Sequence, residues 1–451
     1  MRKILIWWVL YYIRFFAKLS LSINKPKIIG ITGSVGKSSA RNVIYAILKD
    51  SFSVKMIKNG NSETGVPLGI LELDPGSYKP LDWLRIIFLS PLKIFSLSGV
   101  KILIIEMGVD SPLPPKNMDY LLSIVRPNIS VVLNAYPVHS EQFDNPEFNK
   151  LSPEKRTHLI TKRIAEEKTK IIKVAKPLIS IFNSDNSYIK EQLSDYKATE
   201  LLSFGKESNN SVYYQNYKID LEKTSFDLTI NEIRSKKINI ELKGYFLPEK
   251  YQEIISSGFL VGLSLGLTAE EIKKGLIKNF FLPKGRSSIF KGINNSVIID
   301  SSYNSSRASM MTFLETGSKI AKKEKRPFVV LMGDMRELGN EAESEHKIIA
   351  ELIKKNTDHF YCIGELTKKF VLPEISKKIK DSQWFGNSIK LGQFLQTRLP
   401  YHSLVLVKGS QNTIFLEETI KLILKNKEDK KKLCRQNKFW TDKKKIFFQG
   451  E

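Results

Sequence analysis

The sequence predicts an α/β protein in which a central P-loop-type domain built on a parallel sheet is followed by a smaller Rossmann-like domain. Three observations carry this prediction. The apolar run Ile28 to Ile31 leads into a turn freed of Cβ atoms at Gly33 and Gly36, and helical spacing resumes from Arg41 to Leu48. Short apolar runs at Ile102–Glu106, Ile129–Asn134 and Leu178–Asn183 alternate with helical stretches, as a parallel sheet requires. Proline and glycine then punctuate the chain at Leu282-Pro283-Lys284-Gly285, and a second strand–helix alternation begins.

Composition sets the outer limits. A chain of 451 residues, 42% hydrophobic and 26% charged, is long enough for two or three domains with their own cores. Its two cysteines, Cys362 and Cys434, stand too far apart for a disulfide framework or a zinc-site spacing, which fits a reducing cytoplasm. The formal charge of +24 favours anionic partners. The lysines are spread along the whole chain without an aromatic-interleaved stripe, which argues against a nucleic-acid groove.

Residues 1–25 read as an apolar N-terminal helix. Ile4 to Ile13 is uninterruptedly apolar, includes Trp7, Trp8, Tyr11 and Tyr12, and is followed by Arg14 and Lys18. The run is short for a bilayer span and lacks a cleavage site. It suits an aromatic-rich helix lying at the inner membrane face, or a helix packed on the body of the protein. Residues 26–283 form the expected central domain. Within it, Leu81 to Val100 is a second apolar stretch, broken by Pro91 and carrying Asp82, Arg85 and Lys93, which reads as another membrane-facing surface or as a lid-like insertion. Ser211 to Leu242 alternates polar and apolar residues, as antiparallel strands at a sheet edge do. Residues 284–425 repeat the strand–helix alternation, with strands at Ser296–Asp300 and Phe328–Met332 and near Tyr361 and Leu404. Residues 426–451 are lysine-rich and are expected as a mobile basic tail.

The chemistry concentrates around Thr32-Gly33-Ser34-Val35-Gly36-Lys37-Ser38-Ser39. Backbone N–H groups at a helix start attract phosphate oxygens, a lysine at position 37 reaches the β/γ-phosphates, and a hydroxyl at position 38 can ligate Mg²⁺. Ile31 replaces the first glycine of the longer G-x-x-x-x-G-K-[ST] pattern. Glu106 ends an apolar strand, and carboxyl strand ends of open α/β sheets face the ligand crevice, so it is a candidate Mg²⁺ ligand. His139 lies just beyond the strand that ends at Asn134 and is a candidate for metal or phosphate contact. The turn-rich loop Asn59 to Pro67 suits a substrate or γ-phosphate loop. Arg286, at the domain boundary, can clamp phosphate charge bidentately when domains close.

These motifs, in this order from about Lys27 to Glu417, resemble the Mur ligase family in its D-alanyl-D-alanine-adding branch. The resemblance rests on Thr32 to Ser39, Gly65-Val66-Pro67, Glu106-Met107-Gly108, Asn134 to His139, Asn183 to Asn186, Gly285-Arg286, Ser302-Tyr303-Asn304, Gly333 to Gly339 and Lys408-Gly409-Ser410. It implies an ATPase central domain and a C-terminal ligase domain that form an amide bond in peptidoglycan precursor synthesis. ATP and Mg²⁺ are the implied cofactors, with a UDP-muramoyl-peptide and a dipeptide as substrates. The implied reaction phosphorylates a substrate carboxyl and lets an amine attack the acyl phosphate. The resemblance further implies that Lys37 and Ser38 hold phosphates and Mg²⁺ and that Glu106 and His139 hold metal. By the same likeness Asn183 reads adenine, Asp300, Tyr303 and Asn304 contact nucleotide, and Lys168 works as a carbamate that ligates a second metal ion.

The sequence departs from the family pattern in three places. Only 26 residues precede Lys27, where the family usually carries a uridine-nucleotide domain. Ser301 and Arg307 replace a second acid and a proline, and Gln411 replaces an arginine. These departures leave two rivals open: a related ligase acting on another acceptor or on a lipid-linked precursor, and a membrane-associated ATP-binding scaffold without turnover.

Overall fold

The computed structural model describes residues 2–58, 60–76, 80–137, 140–231, 236–336, 338, 342–410 and 414–449. The chain divides into two compact units. The first holds Met1–Asn216, Phe226–Ile240 and Lys250–Phe281, and the second holds Tyr217–Ser225, Glu241–Glu249 and Leu282–Glu451. The sequence reading has one unbroken central domain; in the structure two short segments of it group with the second unit, because Tyr217–Ser225 and Glu241–Glu249 are the distal halves of a long strand ribbon.

The first unit opens with helix α1 (Arg2–Asn24), then β1 (Lys27–Thr32), α2 (Lys37–Leu48) and β2 (Val54–Met56). Next come α3 (Gly65–Ile70), α4 (Pro80–Leu89), β3 (Ile102–Glu106), α5 (Met118–Leu122) and β4 (Ile129–Val132). The long helix α6 (Pro153–Lys173) leads to β5 (Ile179–Asn183), α7 (Ser187–Leu193), β6 (Leu201–Gly205) and the ribbon β7 (Val212–Ile219), β8 (Lys223–Ile230) and β9 (Lys236–Lys243). Helices α8 (Tyr251–Ser264) and α9 (Ala269–Asn279) close the unit. The sheet runs in the order β2-β3-β1-β4-β5-β6-β7-β8-β9. β1 is parallel to both β3 and β4, so its carboxyl end lies where the strand order reverses, the position at which open α/β sheets bind ligands.

The β1 and β3 side chains explain that placement. From Ile28 through Thr32 and from Ile102 through Glu106 every residue is buried, as expected for strands covered by helices on both faces. Helix α6 starts cleanly, with Ser152 Oγ accepting from Lys155 N–H and proline at the first helical position. Helix α9 begins with a reciprocal capping box between Thr268 and Glu271.

The second unit adds β10 (Ser288–Lys291), β11 (Val297–Ser301), α10 (Arg307–Lys323), β12 (Phe328–Gly333), α11 (Ala342–Asn356) and β13 (His359–Ile363). It continues with α12 (Glu365–Phe370), α13 (Leu372–Ser376), β14 (Ser382–Phe385), α14 (Ser388–Arg398), β15 (Leu404–Lys408), α15 (Leu416–Ile423) and α16 (Lys438–Gln449). Its sheet order is β10-β11-β15-β12-β13-β14, antiparallel only between β10 and β11.

The expectation of a mobile basic tail is corrected here. Residues 427–432 form a 3-10 turn and α16 is packed down, because a buried carboxylate, Glu417, draws two tail cations inward. Arg435 lies 3.1 Å and Lys444 2.8 Å from it. Phe415 receives the rings of Trp440, Phe447 and Phe448 edge-on, so the tail also brings its own apolar contacts.

Candidate active site

In the first unit the glycine turn after β1 is held by a segment a hundred residues away. Gly36 sits at φ 89°, a left-handed conformation that suits glycine, and serves as the residue that opens α2. Asn134 grips the turn with both ends of its amide: its Oδ1 accepts from Val35 N–H at 3.0 Å and its Nδ2 donates to the Val35 carbonyl at 3.1 Å. Ser34 N–H donates to the Asn134 carbonyl, and Ser34 Oγ accepts from Tyr136 N–H at 2.9 Å. Thr32 Oγ1 donates to the Met107 carbonyl at 2.8 Å and ties the turn to the end of β3. A turn pinned at so many backbone groups is preorganised for a ligand.

Lys37 curls over this turn, its ammonium donating to the Gly33 carbonyl at 2.6 Å. Burial lowers its pKa, and the carboxylates of Glu106 and Asp110 oppose that shift. Glu106 is buried at the end of β3 and spends its two oxygens separately: Oε2 accepts from Ser38 Oγ at 3.0 Å and Oε1 pairs with Arg41 at 2.7 Å. The Ser38–Glu106 spacing matches the edge of a Mg²⁺ octahedron, in which neighbouring oxygens stand about 2.9 Å apart. These two oxygens therefore fit a shared magnesium ion.

Lys168 lies on α6 and is only 3% exposed. Burial, reinforced by the nearby charge of Lys37, pushes its pKa down to about 7. Among the described residues no carboxylate forms an ion pair with it. A buried, half-neutral amine has the nucleophilicity that addition to CO₂ needs. His139 lies outside the described residues, as do Asn59, Glu337, Gly339 and Gln411. Among the described residues no cluster of three or more His, Cys, Asp or Glu side chains could hold a metal ion. A site built from Ser38, Glu106 and a modified Lys168 contains one such side chain and is not of that kind.

Asn183, at the end of β5, is buried. Its Oδ1 accepts from Asp185 N–H at 3.0 Å and its Nδ2 donates to Glu253 at 3.1 Å. Burial raises the Glu253 pKa to about 7.

The second unit gathers the other residues singled out from sequence. Tyr303 has the Arg286 guanidinium 4.9 Å and the Arg435 guanidinium 5.0 Å from its ring centre. Asp300 is wholly buried, accepts from Ser302 N–H at 3.0 Å, and has its pKa raised to about 6 by burial. The carbonyls of the loop that follows face buried cations. Lys408 donates to the Asn304 carbonyl at 2.7 Å, and Arg435 donates to the Tyr303 carbonyl at 2.7 Å and the Ser302 carbonyl at 3.5 Å. Burial, with the charge of Arg286 adding to it, brings the Lys408 pKa down to about 7. In the Gly333 to Gly339 string, Asp334 accepts from Thr367 N–H and Met335 N–H donates to the buried His346, so its described half holds the strand end in place.

Sequence reasoning did not single out Arg41, Asn134 as a clamp, or Arg435 with Glu417. Arg41 had a signal: it follows Lys37 by four positions on one helix and so shares its face. Arg435 had none, standing in a lysine-rich run that reads as solvated.

The fold, a parallel-sheet unit with a glycine turn at its switch point followed by a second, largely parallel sheet, is shared with solved MurF structures. Residues 285–411 match the family described as Mur ligase, glutamate ligase domain. The chain is 26% identical over 416 residues to the UDP-N-acetylmuramoyl-tripeptide--D-alanyl-D-alanine ligase of Buchnera aphidicola (Acyrthosiphon pisum), covering 91% of this chain and 78% of that protein. It is 27% identical over 398 residues to the protein of the same name from Rickettsia prowazekii, covering 86% of this chain and 76% of that one. Among solved structures it superposes on MurF from Thermotoga maritima in complex with ADP with a TM-score of 0.70 at 22% identity, covering 93% and 84% of the two chains. MurF from Acinetobacter baumannii gives a TM-score of 0.68 at 20% identity, covering 90% and 79%. Over most of its length the chain is similar to these ligases, and its residues 285–411 match the Mur ligase family's glutamate ligase domain.

Proposed function

We propose that this chain is the ATP-dependent ligase that joins D-alanyl-D-alanine to UDP-N-acetylmuramoyl-tripeptide in peptidoglycan precursor synthesis. The observation that carries the reading is the Ser38 hydroxyl set 3.0 Å from a Glu106 carboxylate oxygen beside a pinned glycine turn. The relatives' shared name and coverage of about three quarters of their length support the substrate assignment.

The γ-phosphoryl group of ATP passes to the tripeptide carboxylate, giving an acyl phosphate and ADP. The dipeptide amine then attacks the carbonyl carbon, loses a proton, and expels phosphate to leave the amide. Magnesium held by Ser38 and Glu106, with His139 by resemblance, would draw charge off the phosphate oxygens, and Lys168 as its carbamate would hold a second ion. The turn's N–H groups and Lys37 bind the β/γ-phosphates, and Asn134 keeps the turn in its binding shape. Arg41 balances the Glu106 charge and holds that carboxylate in orientation. Arg286 is assigned to phosphate charge, and Asp300, Tyr303 and Asn304 to nucleotide contact, by family resemblance. The same resemblance assigns adenine to Asn183, which has one amide hydrogen beyond its bond to Glu253.

We place the reaction in the cytoplasm, with α1 resting on the inner membrane face. The exposed aromatic side of α1 favours a second reading, in which the peptide donor is lipid-linked. Purified protein with ATP and Mg²⁺ should release phosphate only when both a muramoyl-tripeptide donor and D-alanyl-D-alanine are present, with the amide product visible by mass. Turnover with a lipid-linked donor alone selects the second reading. Phosphate release that ignores the acceptor refutes the ligase assignment.

A further inference from the structure

We infer that α1 and α4, with the short 3-10 turn at Pro91–Lys93, form one two-helix surface that docks on an anionic phospholipid bilayer. This deepens the reading of α1 as an interfacial helix and rests on it. The two helices lie side by side. Tyr12 OH donates to the Ile87 carbonyl at 3.0 Å, and Asn24 Nδ2 donates to the Ile94 carbonyl at 2.8 Å. Each helix turns one stripe inward: Leu10, Ile13 and Ala17 from α1 and Ile86 from α4 join the same buried core.

The opposite stripes are apolar and exposed, which an ordinary surface helix avoids. On α1, Trp8 is 71% and Phe15 61% exposed, with Tyr11 between them. Positions 8, 11 and 15 recur at helical spacing, so they share one face. On α4, Leu84 and Phe88 stand one turn apart, and Phe88 is 75% exposed. Leu92 and Phe95 continue the exposed apolar surface beyond the end of α4. Two adjoining helices that both bury their inner stripe in one core and leave an aromatic outer stripe uncovered make a patch, not scattered single residues.

Charge selects the occupant. Residues 1–27 carry Arg2, Lys3, Arg14, Lys18, Lys25 and Lys27 and no acidic residue. Residues 80–101 carry Arg85, Lys93 and Lys101 against Asp82 alone. A second copy of the chain would set this basic rim against itself, whereas an anionic lipid surface complements it. Tryptophan and tyrosine rings suit the headgroup boundary, and lysine and arginine stems reach from it to lipid phosphates. Among the described residues no helix is long and apolar enough to cross a membrane, so the contact is one of surface docking.

The test is vesicle co-sedimentation of the full chain on phosphatidylcholine vesicles with and without phosphatidylglycerol. Binding should require phosphatidylglycerol and fall as salt rises. Leu84→Glu with Phe88→Glu on α4, and Trp8→Glu with Phe15→Glu on α1, should each lower the bound fraction by about tenfold or more, since a charge replaces a buried apolar group at the interface. Their thermal midpoints should stay unchanged because these side chains are exposed. If the glutamate variants misfold, Leu84→Ser with Phe88→Ser repeats the α4 arm. Loss of binding by the α1 pair alone overturns the two-helix surface and leaves α1 as the contact. Binding that survives both pairs overturns the membrane reading altogether. Self-association disrupted by either pair would assign the patch to a second copy and also overturn it.

Discussion

Lys168 offers the most searching test of the site. An ordinary lysine with a pKa of 10.5 is neutral in about one molecule in 3,000 at pH 7, whereas a pKa of about 7 makes half of the molecules neutral. Burial thus raises the share of nucleophilic amine by about three orders of magnitude, and an amine in that state adds to CO₂ to give a carbamate and a proton. Labelled bicarbonate should give one carbamate carbon signal per chain by NMR, absent in Lys168→Arg, whose guanidinium stays protonated. Activity should fall in CO₂-depleted buffer and return with bicarbonate. Lys168→Ala should lose at least a hundredfold in kcat, partly restored by short carboxylates that supply the missing oxygens.

A second readout of Lys168 is independent of turnover. In CO₂-free buffer the unfolded chain holds the Lys168 proton more tightly than the folded chain between pH 7 and 10.5, so stability should rise with pH across that window. Lys168→Met should flatten the slope. A fully active Lys168→Ala enzyme without a labelled carbamate in the parent protein would refute the reasoning.

Two further predictions concern the second unit. Arg435→Met leaves buried Glu417 short of one cation and three loop carbonyls short of a donor, so it should destabilise the unit by about 3–5 kcal/mol and speed amide exchange at Tyr303 to Ser305. Arg435→Lys should recover only part of this, since an ammonium cannot reproduce the guanidinium fork; full recovery in exchange rate and midpoint would count against it. For Asp300, burial raises the folded pKa to about 6, so its contribution to stability is present below the unfolded value of 3.8 and is lost as pH rises through 6. Asp300→Asn should therefore gain stability over the parent at pH 8, by about 2–3 kcal/mol at most, and show no gain at pH 4. A gain of equal size at both values would remove titration as the cause.

The parts of this molecule that were legible in the sequence are those whose signal lies in neighbouring residues. Buried strands such as Ile102–Glu106 read as unbroken apolar runs because helices cover both faces of the sheet, and the glycine turn reads from Gly33 and Gly36 because a left-handed φ favours glycine. Lys168 had no such signal. Its helix is amphipathic and charged, and only the packing of α6 on the sheet takes that ammonium out of water. The tail failed for the opposite reason: its lysines suggested solvent, while the residue that recruits it, Glu417, stands 18 positions before Arg435.

What holds the site depends on through-space pairs that local patterns cannot reveal. Ser38 meets Glu106 across 68 positions, Asn134 grips Val35 across 99, and Arg435 reaches Ser302 across 133. The Asn134 and Arg435 pairs fix backbone turns rather than supplying chemistry of their own, whereas Ser38 and Glu106 are the groups proposed to meet the metal. That division has a physical basis. The groups that meet phosphate must be of one type at one spacing, because a ligand's geometry is rigid, so they leave a motif. The groups that hold them need only reach a given N–H or carbonyl from somewhere in the fold, and many residues at many positions can do that. Substituting Asn134 should therefore weaken nucleotide binding as much as substituting a residue of the turn itself, although the Asn134 to His139 string marks the segment without revealing its grip on Val35.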